Sequence, residues 1–193
     1  MGLFSIKPWD GTLRVEEALM MIYCLMAVDG VVAKEELEEF DIIGRELIRD
    51  FDKYKDYIIK RCVDSLGKAS SNEKYQDNLR DFIRDLIVNA QMSNDGSVPG
   101  KMLIWNLISV AYSEGDYGEE ERSLISFITC LLLIDKTVPE EMDYIFQTVR
   151  AIDKEVAWLK SSCKPFAVVE KHLNELSNRR KAVMDGLWAL VQD

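Results

Sequence analysis

Four acids in two matched settings are the residues of this chain best suited to chemistry. The stretch from Met26 to Glu36 and the stretch from Ala111 to Glu121 each hold an acid, a glycine, five further residues and a glutamate in the same order. They read Asp29-Gly30 to Glu36 and Glu114-Gly115 to Glu121. Such carboxylates can accept backbone N–H bonds from their own tight turn and from the open first turn of the next helix, which is a capping role. Alternatively, Asp29, Glu36, Glu114 and Glu121 can converge and pool their charge around a hard divalent cation. Capping is the preferred reading, because acids at helix starts ordinarily serve that purpose. The run Glu119-Glu120-Glu121 is equally satisfied as a solvated helix start.

Gly, five residues and Glu also form the second half of an EF-hand loop. Setting Gly30 at the sixth loop position puts Leu25 and Ala27 where the first two ligands belong, and the second copy puts Val110 and Tyr112 there. None of these can bind calcium, which takes about six to eight oxygens. An EF-hand is therefore excluded. No Gly-rich phosphate loop, G-x-S-x-G elbow or H-E-x-x-H pair is present either, so an enzyme is not expected. The single histidine, His172, falls on a charge-rich helix as a surface residue and precludes a His-rich metal site.

Both turns must hang between helices. Thr12 is placed to cap a first helix, with Val15, Ala18, Leu19, Ile22, Leu25 and Met26 on the 3.6-residue period. Its remaining residues are largely apolar, so this helix should be covered on most sides, and Gly30 is the natural left-handed residue to end it. A second helix begins near Lys34 with Leu37, Phe40, Ile43, Leu47 and Phe51 inward. Asp52 is placed to cap a third, with Tyr54, Ile58, Cys62 and Leu66 on one stripe. Ser71 or Asn72 starts a fourth, whose stripe Leu79, Phe82, Ile83, Leu86, Ile87 and Ala90 is the cleanest in the chain. After the breakers from Ser93 to Gly100, Ile104, Leu107, Ile108 and Ala111 repeat the register of Leu19, Ile22, Tyr23 and Met26. Leu124, Ile125, Ile128, Leu131 and Leu132 form the partner helix, and its nearly all-apolar end, 127–134, is expected at the centre of the core. Met142, Ile145, Val149, Ile152, Val156 and Leu159 in one run, and Phe166, Val169, Leu173, Leu176, Val183, Leu187 and Leu190 in the next, keep heptad-like spacing interrupted by Arg180. Two such helices with a short break between them predict an antiparallel hairpin that covers the core, or else an extended arm or dimer seam.

At 193 residues, 48% hydrophobic and 30% charged, the chain describes a soluble globular protein. A net charge of −10 disfavours nucleic acid and anionic membrane surfaces. Cys24, Cys62, Cys130 and Cys163 stand singly, two of them within apolar runs, and are read as reduced, hence a cytoplasmic location. No leader is expected from the first residues, and the run Ala18 to Val28 is too short to span a bilayer.

Set in these helices, Met26-Ala27-Val28-Asp29-Gly30 with Glu36 resembles the TerB-like (tellurite-resistance protein B) family, over about residues 13–150. That family is marked by an Ala-x-Asp-Gly-type turn and a following Glu, duplicated in one helical domain. The second copy departs from it by placing Glu114 where Asp is usual. The resemblance implies an all-α fold, acidic clusters with a capacity for divalent cations, and a link to stress responses or membrane-associated complexes, with no enzymatic reaction. The expectation is thus an all-α protein made of two helix–acidic turn–helix repeats related by a pseudo-two-fold, plus the hairpin. Residues 1–12 form an arm with Phe4, Ile6 and Trp9 as anchors, 13–137 the helical domain and 138–193 the hairpin. It would act as a binding or scaffold module with protein partners, without a cofactor; the alternative is a divalent-cation sensor or buffer using the two acidic turns. A homodimer through the hairpin is compatible with this reading.

Overall fold

The apolar run that opens the chain becomes the helix around which the first unit is packed. A computed structural model describes residues 9–67, 71–93, 95–115, 117–162 and 166–192. Phe4, Ile6, Cys163 and the side chain of Phe166 lie outside what it describes. It is 80% helical, in eight helices with one two-stranded ribbon among the described residues, so the protein is of the all-α class. In helix α1 (Val15–Met26) every residue from Glu17 to Met26 is buried. A helix apolar on all sides must be enclosed on all sides. Accordingly α1 is packed by α2 (Lys34–Leu47), α3 (Phe51–Leu66), α4 (Asn72–Ser93), α5 (Gly100–Ala111) and α6 (Glu119–Leu131).

The expected stripes account for most of this packing. In α4, Leu79, Ile83, Leu86, Ile87 and Ala90 are buried, and Ser71 Oγ accepts the Lys74 N–H at 3.3 Å as the start of that helix. In α2 the inward residue Phe40 meets Tyr23 and Phe51 edge-on, at ring separations of 6.3 and 5.4 Å. Gly44 makes this aromatic cluster fit, because a Cβ at that position would stand 2.5 Å from the Phe51 ring.

Four expectations are corrected. Thr12 does not cap α1; it pairs in an antiparallel ribbon, β1 (Thr12–Leu13) against β2 (Val98–Pro99), and Arg14 occupies the capping position. Asp10 Oδ1 accepts both the N–H and the hydroxyl of Thr12, at 3.1 and 2.6 Å, in competition with a cap. Gly96 also passes so close to Thr12 that a Cβ would lie 2.5 Å from its carbonyl carbon. Asp52 does not cap α3; Asp50 occupies the capping position, two residues earlier, and Asp52 pairs with Arg45 at 3.0 Å. Phe51 then takes the buried first-turn place, leaving Tyr54 42% exposed. Finally, the centre of the core is α1 and not the end of α6. Leu132 is still buried, but the chain then turns outward: Ile134 N–H returns to Thr129 O at 3.1 Å, Leu133 adopts φ 56°, and Leu133 is 86% exposed. Cys130 is exposed with it.

The chain divides at Lys136 and Thr137. The second unit consists of α7 (Thr137–Ser161) and α8 (Phe166–Gln192) packed on each other. Glu155 lies 2.9 Å from His172 and Asp153 3.0 Å from Arg180, so the helices run antiparallel. Ile152, Leu159, Val169 and Leu176 form their buried seam, with Val156 and Leu173 at its margin. Arg180, which interrupts the apolar spacing, reaches across to Asp153 instead.

Candidate functional site

The two acidic turns are built by the same local physics. After α1 the backbone tightens through Val28 N–H to Leu25 O and Gly30 N–H to Ala27 O, both at 3.0 Å, and Gly30 takes φ 88°. The Asp29 Oδ1 atom accepts the Val31 N–H at 2.8 Å and so holds the turn. At the start of α2, Glu36 Oε2 accepts the Ala33 N–H at 2.8 Å. Because Ala33 has no side-chain acceptor, only the glutamate half of a capping box is present. The second turn repeats these features: Ser113 N–H bonds Val110 O at 2.9 Å, Gly115 takes φ 140°, and Glu121 Oε2 accepts the Gly118 N–H at 2.5 Å. Glu36 and Glu121 are buried, 3% and 8% exposed, whereas Asp29 and Glu114 face solvent.

The turns converge. Burial first, and then the charges of Glu114, Glu121 and Asp29, together lift the Glu36 carboxyl to about 7 against the opposing effect of the Ala33 N–H. Glu121 is raised in the same way: burial leads, the Gly118 N–H opposes it, Glu114 and Asp29 add to it, and Arg122 offsets a part. Each turn therefore lies in the field of the other. Among the described residues, however, no three acidic, cysteine or histidine side chains are placed to hold one metal ion. As the atoms stand, Glu36, Glu121 and Asp29 accept N–H bonds from their own backbones, and among the described residues no backbone N–H donates to Glu114 in this way.

Sequence reasoning overlooked several contributors. Glu17 repeats the device at α1: its Oε2 accepts the Arg14 N–H at 3.1 Å, while Oε1 pairs with the Arg14 guanidinium at 2.5 Å. The three-residue spacing from Arg14 to Glu17 was the available signal, hidden by the expectation that Thr12 begins the helix. Tyr75 and Gln76 of α4 donate to the two carbonyls just past the end of α1, Tyr75 Oη to Ala27 O and Gln76 Nε2 to Val28 O, each at 2.6 Å. Ser109 of α5 donates to Glu39 of α2 at 2.5 Å, joining these two helices. These contacts span many residues, so no periodicity announces them. At the second turn, Arg122 stacks on Tyr117 with its guanidinium carbon 3.8 Å from the ring centre.

Of the other chemically capable residues, His172 is on the surface beside Glu155. Cys24 and Cys62 are buried, and Cys62 Sγ lies 3.8 Å from Met20 O. Hydrogen bonding with Cys62, together with burial, pushes the Cys24 thiol well up, the opposite of what a nucleophilic thiolate needs. No helix among the described residues is long and apolar enough to cross a membrane. No family model matches the chain, and neither does any curated protein or any solved structure.

Proposed function

We propose that the chain is a non-enzymatic, TerB-like binding or scaffold module of the cytoplasm, of the kind that serves a bacterial stress response such as tellurite resistance. In this reading residues 13–51 and 100–134 are two copies of one helix–turn–helix unit, related by a pseudo-two-fold with Gly30 over Gly115. The matched positive φ of those glycines and the matched capping by Glu36 and Glu121 support it. The observation that carries the scaffold assignment is the employment of the buried acids. Glu36 and Glu121 are both engaged by a backbone N–H, which favours an architectural role over an ion-binding one.

A second reading, a divalent-cation sensor or buffer, is favoured by one observation: the charges of Asp29 and Glu114, one from each turn, both help to raise the carboxyls of Glu36 and Glu121. Thermal unfolding separates the two. An ion held by these acids would stabilise the fold by about 2.7 kcal/mol at a hundredfold excess over its dissociation constant. For the scaffold, calcium or magnesium should leave Tm where sodium at matched ionic strength leaves it. A rise of several degrees specific to a divalent ion, removed by Glu36→Ala or Glu121→Ala, would transfer the assignment to the sensor.

A further inference from the structure

The flank of the helical hairpin that bears Tyr144 carries a surface no described part of the chain accounts for. Glu141, Tyr144 and Ile145 project from one face of α7, spaced by three and four residues; Arg179, Val183 and Gly186 do so from one face of α8. The two rows line a groove of about 350 Å³. A second hollow of about 500 Å³ shares Glu141, Tyr144 and Ile145 with it, so Tyr144 stands as a ridge between two depressions. It is 73% exposed, and such an aromatic ring with a polar tip is of the kind enriched at protein interfaces. Gly186 sits far inside a 27-residue helix, where glycine is less favourable than alanine by about 1 kcal/mol. A Cβ there would meet nothing within 4 Å, so packing inside the chain does not require glycine at this position. What glycine does provide is a close approach for a side chain from outside.

The charges select the occupant. Because the helices run antiparallel, Glu141 lies at the Gly186 end of the groove, and Arg179 at the other end, about 10 Å further along. Among the described residues neither makes an ion pair. A surface with one ridge, one groove and opposite charges at its two ends is complementary to itself when turned end for end, as a two-fold contact requires. We propose that this flank is a symmetric interface with a second copy of the chain. Tyr144 of each copy fills the groove of the other beside Val183 and Gly186, and Glu141 of each copy meets Arg179 of the other at both ends. This contact is independent of the acidic turns, so it stands or falls separately from the scaffold reading.

The test is sedimentation equilibrium of the full chain across a concentration series, with circular dichroism as the folding control. A reversible dimer with a dissociation constant of about micromolar order is expected, as suits a small, partly polar interface. Glu141→Arg and Arg179→Glu should each weaken it by about tenfold or more, and the double reversal should restore it, because the pair is rebuilt with its signs exchanged. Gly186→Leu should abolish the dimer while raising helix propensity, so that misfolding cannot be the cause. A monomer at all concentrations overturns the proposal. So does a dimer indifferent to the single reversals, or one that the double reversal fails to restore.

Discussion

Replacing Glu36 by Gln removes a charge and almost nothing else, since the amide keeps the size of the side chain and an oxygen for the Ala33 N–H. The wild-type carboxyl rises from 4.5 to about 7 because burial and the neighbouring acids disfavour its ionised form. The folded chain therefore holds this proton more tightly than the unfolded chain does. The stability it contributes is complete below about 4.5 and is lost as the pH rises through about 7. A shift of this size corresponds to roughly 3 kcal/mol at most. Exchanging a charged acceptor for a neutral one returns about 1 kcal/mol of that. Glu36→Gln should thus be about as stable as wild type near pH 5, and more stable by about 1–2 kcal/mol near pH 8.5. Urea denaturation followed by circular dichroism at both pH values and constant ionic strength measures the difference. A stability gap that does not change with pH, or a wild type that gains on the variant as pH rises, would refute the reasoning. Glu36→Ala should behave differently, losing about 0.5–2 kcal/mol even at the lower pH, because the Ala33 N–H is left without its acceptor.

Two further outcomes follow from packing. Gly44→Ala should cost about 1–3 kcal/mol in the same denaturation assay, since its Cβ would stand 2.5 Å from the Phe51 ring; an unchanged midpoint would mean that the ring moves aside freely. In a Cys163→Ser background, Cys130 should react with a thiol reagent in the native protein, while buried Cys24 and Cys62 should react only on unfolding; three thiols reacting at one rate would contradict their placement.

Much of the helical frame follows from local order in the chain. The stripe Leu79, Ile83, Leu86, Ile87 and Ala90 is a 3.6-residue pattern that only a helix can bury on one side, and it is buried as such. The apolar surround of Ile22 and Cys24 likewise demands an enclosed helix. A glutamate three residues into α2 and another three into α6 were legible as capping acids, because a cap is a contact between near neighbours in sequence. Other features depend on residues far apart in the chain. Thr12 has the chemistry of a cap, but it is drawn into a ribbon opposite Pro99 with Gly96 packed close against it, and two residues per strand are too few to show a period. Cys130 and Leu133 belong to the same apolar run as Ile128, yet both face outward, Cys130 on the outer side of α6 and Leu133 beyond its end, where the backbone turns left-handed. No local pattern could state that the turn at Asp29 lies in the field of the turn at Glu114, nor that Glu36 would hold its proton near neutral pH. Periodicity records which face of each element avoids water. Which elements meet is decided by how those faces are shared, and only the folded chain resolves that competition.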